Sequence, residues 1–88
     1  MANRLLVLYV RENNLGLNRL GISISKKVGG AVTRNRIKRL IKEQIRALQK
    51  NLALGYDLVF IARAPAADAS FADIGKSLSN LLARQKIL

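Results

Sequence analysis

Apolar positions along this chain follow two rhythms, one strand-like and one helical. Leu5 to Val10 is an unbroken apolar run between Arg4 and Arg11. Its β-formers predict a largely buried strand. Glu12-Asn13-Asn14-Leu15-Gly16 follows, and Asn and Gly tolerate the positive φ of turns. Arg19 to Ser25 then alternates, with Leu20, Ile22 and Ile24 on one face and Gly21, Ser23 and Ser25 on the other. That is a half-buried strand with a small-residue outer face. The two segments together predict a hairpin.

Gly29-Gly30 interrupts the alternation, and from about Val32 the period becomes helical. Ile37, Leu40, Ile41, Gln44, Leu48 and Leu52 fall on one side of the wheel, opposite Asn35, Lys38, Arg39, Lys42, Arg46 and Lys50. The pattern predicts an amphipathic helix of about five turns ending near Leu54-Gly55. Thr33 is the candidate cap, with a start one or two residues earlier as the alternative. Asp57 to Arg63 predicts a third strand, ended by Pro65. Ser70-Phe71-Ala72-Asp73 has the form of a capping box and predicts a second helix striped with Phe71, Ile74, Leu78, Leu81 and Leu82. The order is β-β-α-β-α. Two helices with one apolar face each must pack on the sheet, giving an α+β two-layer sandwich with, by default, a right-handed crossover.

Composition narrows the chemistry. Eighty-eight residues with no internal repeat suit one domain, 1–88, with a small core. The chain has no His and no Cys, so the side chains best suited to zinc ligation and to acid–base or nucleophilic chemistry near neutral pH are missing. Its five acids are scattered singly. Asp73 reads as a helix-start residue, and Glu43 is expected to pair with Arg39 or Arg46. No catalytic residues and no metal ligands are therefore assigned. A cysteine-free chain without a secretory signal suits the cytoplasm. No apolar run approaches the roughly 20 residues that span a bilayer, so no membrane partner is expected.

Charge supplies the positive signal. Between Lys26 and Lys50 lie nine of the sixteen Lys and Arg residues against one acid, a net +8 of the chain's +11. Like charges repel in the compact state, and a polyanionic partner relieves that repulsion. Asn35 to Arg46 spans about 16 Å of helix, enough to touch several phosphates. Arg presents a planar fork to phosphate, Lys a mobile point charge, and Asn both donor and acceptor. The preceding Lys26-Lys27-Val28-Gly29-Gly30 loop lets backbone approach a phosphate, and the helix N-terminus adds free N–H groups. Tyr9 has two readings: a stacking platform for an unpaired base if its face is open, or a sheet aromatic packed under a helix. Phe60 and Phe71 read as core.

The run Lys26-Lys27-Val28-Gly29-x-Ala31-Val32-x-Arg34-Asn35-Arg36-x-Lys38-Arg39, preceded by Gly21-Ile22-Ser23-Ile24-Ser25, resembles the signature of the bacterial ribonuclease P protein subunit. Gly55-x-Asp57-x-Val59-x-Ile61-Ala62-Arg63 and the Leu-rich last helix are similar to that family too, so the resemblance covers almost the whole chain. It implies the small basic partner of a catalytic RNA, in an endoribonuclease that removes the 5′ leader from precursor tRNA. The RNA and its bound Mg²⁺ then do the chemistry. The resemblance places Lys26, Lys27, Arg34, Asn35, Arg36, Lys38, Arg39 and Lys42 on RNA, and the basic helix face adds Arg46. The resemblance also places Tyr9 at a cleft for the single-stranded leader, where Lys38 is a further expected contact. It also implies a left-handed crossover around the basic helix, against the default above.

Family members usually begin with a further N-terminal helix and the start of the first strand. Against that pattern this chain opens at Met1-Ala2-Asn3-Arg4. The expectation is exposed apolar sheet surface, with reduced stability or self-association by strand or helix exchange. Lys42 stands where Arg is common and Ile45 where an aromatic is common. The alternative reading is a general RNA-binding or ribosome-associated protein using the same face. A membrane-surface helix is disfavoured, because the flanking strands claim its apolar side.

Overall fold

The computed structural model describes residues 1–88. Its elements are β1 (Leu6–Glu12), β2 (Arg19–Ser23), α1 (Ala31–Leu48), β3 (Tyr56–Ala62) and α2 (Phe71–Arg84). Single 3₁₀ turns follow α1 (Gln49–Asn51) and β3 (Ala64–Asp68). Residues 2 apart along each strand share a face, and the inward set is Leu6 and Leu8 from β1 and Leu58, Phe60 and Ala62 from β3. These join Ile37, Leu40 and Ile41 of α1 and Ile74, Leu78, Leu81 and Leu82 of α2 in one core. The helices thus form one layer and the sheet the other, the α+β two-layer arrangement that the amphipathic pattern predicts.

The predicted hairpin does not form. The sheet order is β1-β3-β2, with β3 antiparallel to β1 and parallel to β2. β3 carries the Leu58-Val59-Phe60-Ile61 run, and a strand apolar on both faces gains most at the centre, where both edges are paired. Asn13, read as a turn residue, does accept from Leu15 N–H at 2.9 Å, and with Asn18 it also holds the entry to β3. Asn13 N–H donates to the Gly55 carbonyl at 2.8 Å and its side chain to Asp57 Oδ1 at 3.0 Å. The Asn18 side chain donates to the Ala53 carbonyl at 2.8 Å and accepts from Tyr56 N–H at 2.9 Å. Asn14 (φ 57°) and Gly16 (φ 69°) do take the left-handed backbone the turn reading requires.

Helix boundaries differ locally. Gly30, not Thr33, caps α1, and it does so without a side-chain bond. Thr33 is the third helical residue, packed so closely on Gly29 that a Cβ there would lie 2.8 Å from Thr33 Cγ2. The Ser70 capping box at α2 is complete, each partner bonding the other's backbone N–H at 3.1 Å. Phe71 is 49% exposed rather than core. It is the first residue of α2, one turn ahead of the stripe that meets the sheet at Ile74.

Candidate nucleic-acid interface

α1 divides cleanly along its length. Ile37, Leu40 and Ile41 are buried, while Asn35, Lys38, Arg39, Lys42 and Arg46 are exposed. The only intramolecular ion pair in the molecule lies elsewhere, Arg19 with Asp57. The expected pairing of Glu43 with Arg39 or Arg46 is absent. Exposed pairs on one helix contribute little against the entropy of two long side chains, so Glu43 leaves its neighbours free. Lys38, Arg39, Lys42 and Arg46 consequently carry no internal counter-charge. Lys26 and Lys27 project from a turn closed by Val28 N–H on the Ser25 carbonyl at 3.1 Å and anchored by buried Val28.

The start of α1 adds to this field. Its first intrahelical donor is Arg34 N–H, on the Gly30 carbonyl at 2.9 Å. The N–H groups of Ala31, Val32 and Thr33 are unclaimed, and no acid sits in the first turn, so the helix presents its positive end uncompensated. A shallow groove lined by Val32, Asn35, Arg36 and Arg39 opens beside it. Val32 is a largely exposed apolar residue among these cations.

Two of the nine predicted RNA-facing residues have internal work. Arg34 Nε donates to the Gly29 carbonyl at 3.1 Å, which fixes the loop–helix junction. Arg36 donates to the Ala67 carbonyl at 2.9 Å and twice to that of Ala69 at 3.2 Å. Arg36 thereby holds the segment between β3 and α2 against α1. Sequence reasoning treats the two like their neighbours, because their carbonyl partners are set by tertiary approach.

Tyr9 lies on the sheet face away from the helices and is 58% exposed. The open-face reading of its position is therefore the structural one. In register across the sheet it meets Val59 and then Gly21, and the bare Gly21 leaves this row flat beside Val59. No single cavity is lined by both Tyr9 and Lys38. At one end of the same face Asp57 is bonded by Arg19 through two 2.7 Å contacts and by Asn13 at 3.0 Å. Arg19, then Asn13, hold its carboxyl at about 2, below the usual 3.8. This pair was invisible in the sequence, since it depends on the β2–β3 register.

The architecture and this face define a small basic α+β protein with one helix face of uncompensated positive charge. The Ribonuclease P family model matches residues 1–86, and the chain belongs to that family. It is 56% identical over 87 residues to a ribonuclease P protein component from Clostridium botulinum, covering 98% of this chain and 78% of the relative. It is 52% identical to the one from Clostridioides difficile, covering 98% and 76%. Among solved structures, the Staphylococcus aureus RNase P protein superposes with a TM-score of 0.91 at 42% identity, covering 99% of this chain and 80% of that one. The Thermotoga maritima protein superposes with 0.88 at 32% identity, covering 96% and 80%. The chain thus stands with the protein components of ribonuclease P, a tRNA-processing ribonucleoprotein nuclease.

Proposed function

We propose that this chain binds the RNase P RNA through the α1 face and offers its open sheet face to the unpaired 5′ leader of precursor tRNA, while the RNA breaks the phosphodiester bond. The observation that carries the reading is the row Lys38, Arg39, Lys42 and Arg46, exposed and unpaired on one helix. Cations left without internal partners keep their full field for phosphates and release counterions when they bind. Lys26, Lys27 and Asn35 extend the row across the helix N-terminus. Arg34 and Arg36 shape it, with Arg34 keeping its terminal nitrogens for RNA.

No three metal-ligating side chains cluster on this chain. On this reading Mg²⁺ would be held by the phosphates of the RNA, where it would supply charge neutralisation and an activated water. The protein's contribution is positioning: its cations draw RNA strands together, and Tyr9 stacks on a leader base. That contact is worth about 1–3 kcal/mol.

The test is a binding comparison between precursor tRNA with a leader and mature tRNA, each presented to the reconstituted holoenzyme. Tyr9→Ala should weaken the first about tenfold and leave the second unchanged. Equal effects on both would refute leader recognition. Equal binding of the wild-type protein to the RNase P RNA and to unrelated duplexes at matched salt would favour a general RNA-binding role.

A further inference from the structure

A groove of about 350 Å³ runs between the C-terminal half of α1 and the edge strand β2. It lies on the helix side of the sheet, away from Tyr9. Its floor is apolar: Leu58 and Leu52 are buried beneath it, Ile45 is half-buried, and Leu20 remains 38% exposed. Leu20 points toward the helix layer, yet α1 does not close over it.

The wall is cationic and polar. Lys42, Ile45, Arg46 and Gln49 stand at successive i, i+3, i+4 and i+7 positions, so one stripe of helix presents cation, apolar surface, cation and amide in turn. Lys42, Arg46 and Gln49 are exposed and make no internal side-chain bond. Arg19 also lines the groove but is committed to Asp57. No acid lines it.

An apolar floor bordered by free cations and one unused amide suits a flat, mostly apolar ring attached to an anion. We infer that this groove is a nucleotide site for one unpaired nucleotide of an RNA strand. The base lies on Leu20 and Ile45, its edge meets the Gln49 amide, and its phosphate meets Lys42 and Arg46. Charge complementarity selects this occupant over an apolar peptide or a second copy of this +11 chain, which would bring like charge to the rim. The stripe also continues the row that begins at Lys38, so a strand tracking α1 arrives at the groove without crossing uncharged surface. The inference rests on the RNA-binding reading above for the source of the nucleotide.

The test uses methyl and side-chain amide NMR on the full chain, titrated separately with adenosine 5′-monophosphate, adenosine and inorganic phosphate. The monophosphate should shift the Leu20 and Ile45 methyls and the Gln49 amide together. Adenosine should shift the same groups at higher concentration, and phosphate should leave the methyls still. Leu20→Ser should weaken the monophosphate about fivefold, and Gln49→Ala, at an exposed position, should weaken it without altering the melting temperature. Monophosphate shifts confined to Asn35–Arg39, or methyl shifts driven by protein concentration alone, would overturn the inference. So would unchanged affinity in both variants. Binding of the wild-type chain to RNase P RNA is measured in parallel. Its failure with the monophosphate map intact removes the proposed function and keeps the groove, and the opposite pattern does the reverse.

Discussion

Arg36→Ala separates structural from RNA-facing cations on the same helix. Its guanidinium makes three contacts of 2.9–3.2 Å to the carbonyls of Ala67 and Ala69. Both carbonyls lie in the short segment that carries the chain from β3 into α2. Hydrogen bonds from a charged donor contribute roughly 1.5–3 kcal/mol, and half-exposure of Arg36 reduces their combined value to about 2 kcal/mol. Each kcal/mol moves the midpoint of a domain of this size by about 4–8 °C, so the variant should melt about 10 °C lower. Circular dichroism melts of wild type, Arg36→Ala and Arg39→Ala read this directly, with urea denaturation as the check on cooperativity. Arg39 makes no internal bond, and its variant should melt like wild type. In RNA binding the order reverses: Arg39→Ala should flatten the salt dependence more than Arg36→Ala. An Arg36→Ala midpoint within about 2 °C of wild type would refute the clamp. A full unit of lost salt slope in that variant would place its guanidinium on phosphate instead.

Three further outcomes follow from local geometry. Asp57 is held at about 2 in the folded chain against an ordinary 3.8; its stabilising effect is complete above about pH 4 and is lost as pH falls toward 2, and acid titration of Asp57→Asn should show a shallower loss in that window. Gly29→Ala places a Cβ 2.8 Å from Thr33 Cγ2 and 2.9 Å from Thr33 Cβ, and should cost about 1–3 kcal/mol in urea unfolding, with the loop and the start of α1 displaced together in amide spectra. Ser70→Ala removes one half of the capping box and should cost about 1 kcal/mol by the same measurement, whereas Ser70→Asp should cost nearly nothing.

The amphipathic stripes were legible in the sequence because they depend on spacing alone. Ile37, Leu40 and Ile41 inward with Lys38, Arg39 and Lys42 outward follow from the helical period, and the Ser70–Asp73 box follows from four adjacent residues. Strand order was not legible. Arg19 to Ser25 and Leu5 to Val10 read as neighbours because they are close in sequence, and nothing local reveals that β3 separates them. That one topological fact hid the Arg19–Asp57 pair and the role of Asn13 and Asn18 at the entry to β3. The site was legible as a set of cations, but not as a division of labour. Arg34, Arg36 and Arg39 are the same residue type on one helix, and only the approach of the Gly29 and Ala67–Ala69 carbonyls distinguishes them. Tyr9 could face either way from a six-residue apolar run, until the register with Val59 and Gly21 fixed it.

The proposed RNA binding depends on α1 cations that no acid of this chain neutralises. The direct measurement is the salt dependence of binding to RNase P RNA for the wild-type protein and for the triple variant Lys38→Ala, Arg39→Ala, Lys42→Ala. Each phosphate contact contributes about 0.9 to the slope of log affinity against log salt, so the variant should lose between two and three units, keep its melting temperature, and fail to support leader removal at physiological salt. An unchanged slope in a folded variant, or no binding by the wild-type chain at low salt, would contradict it.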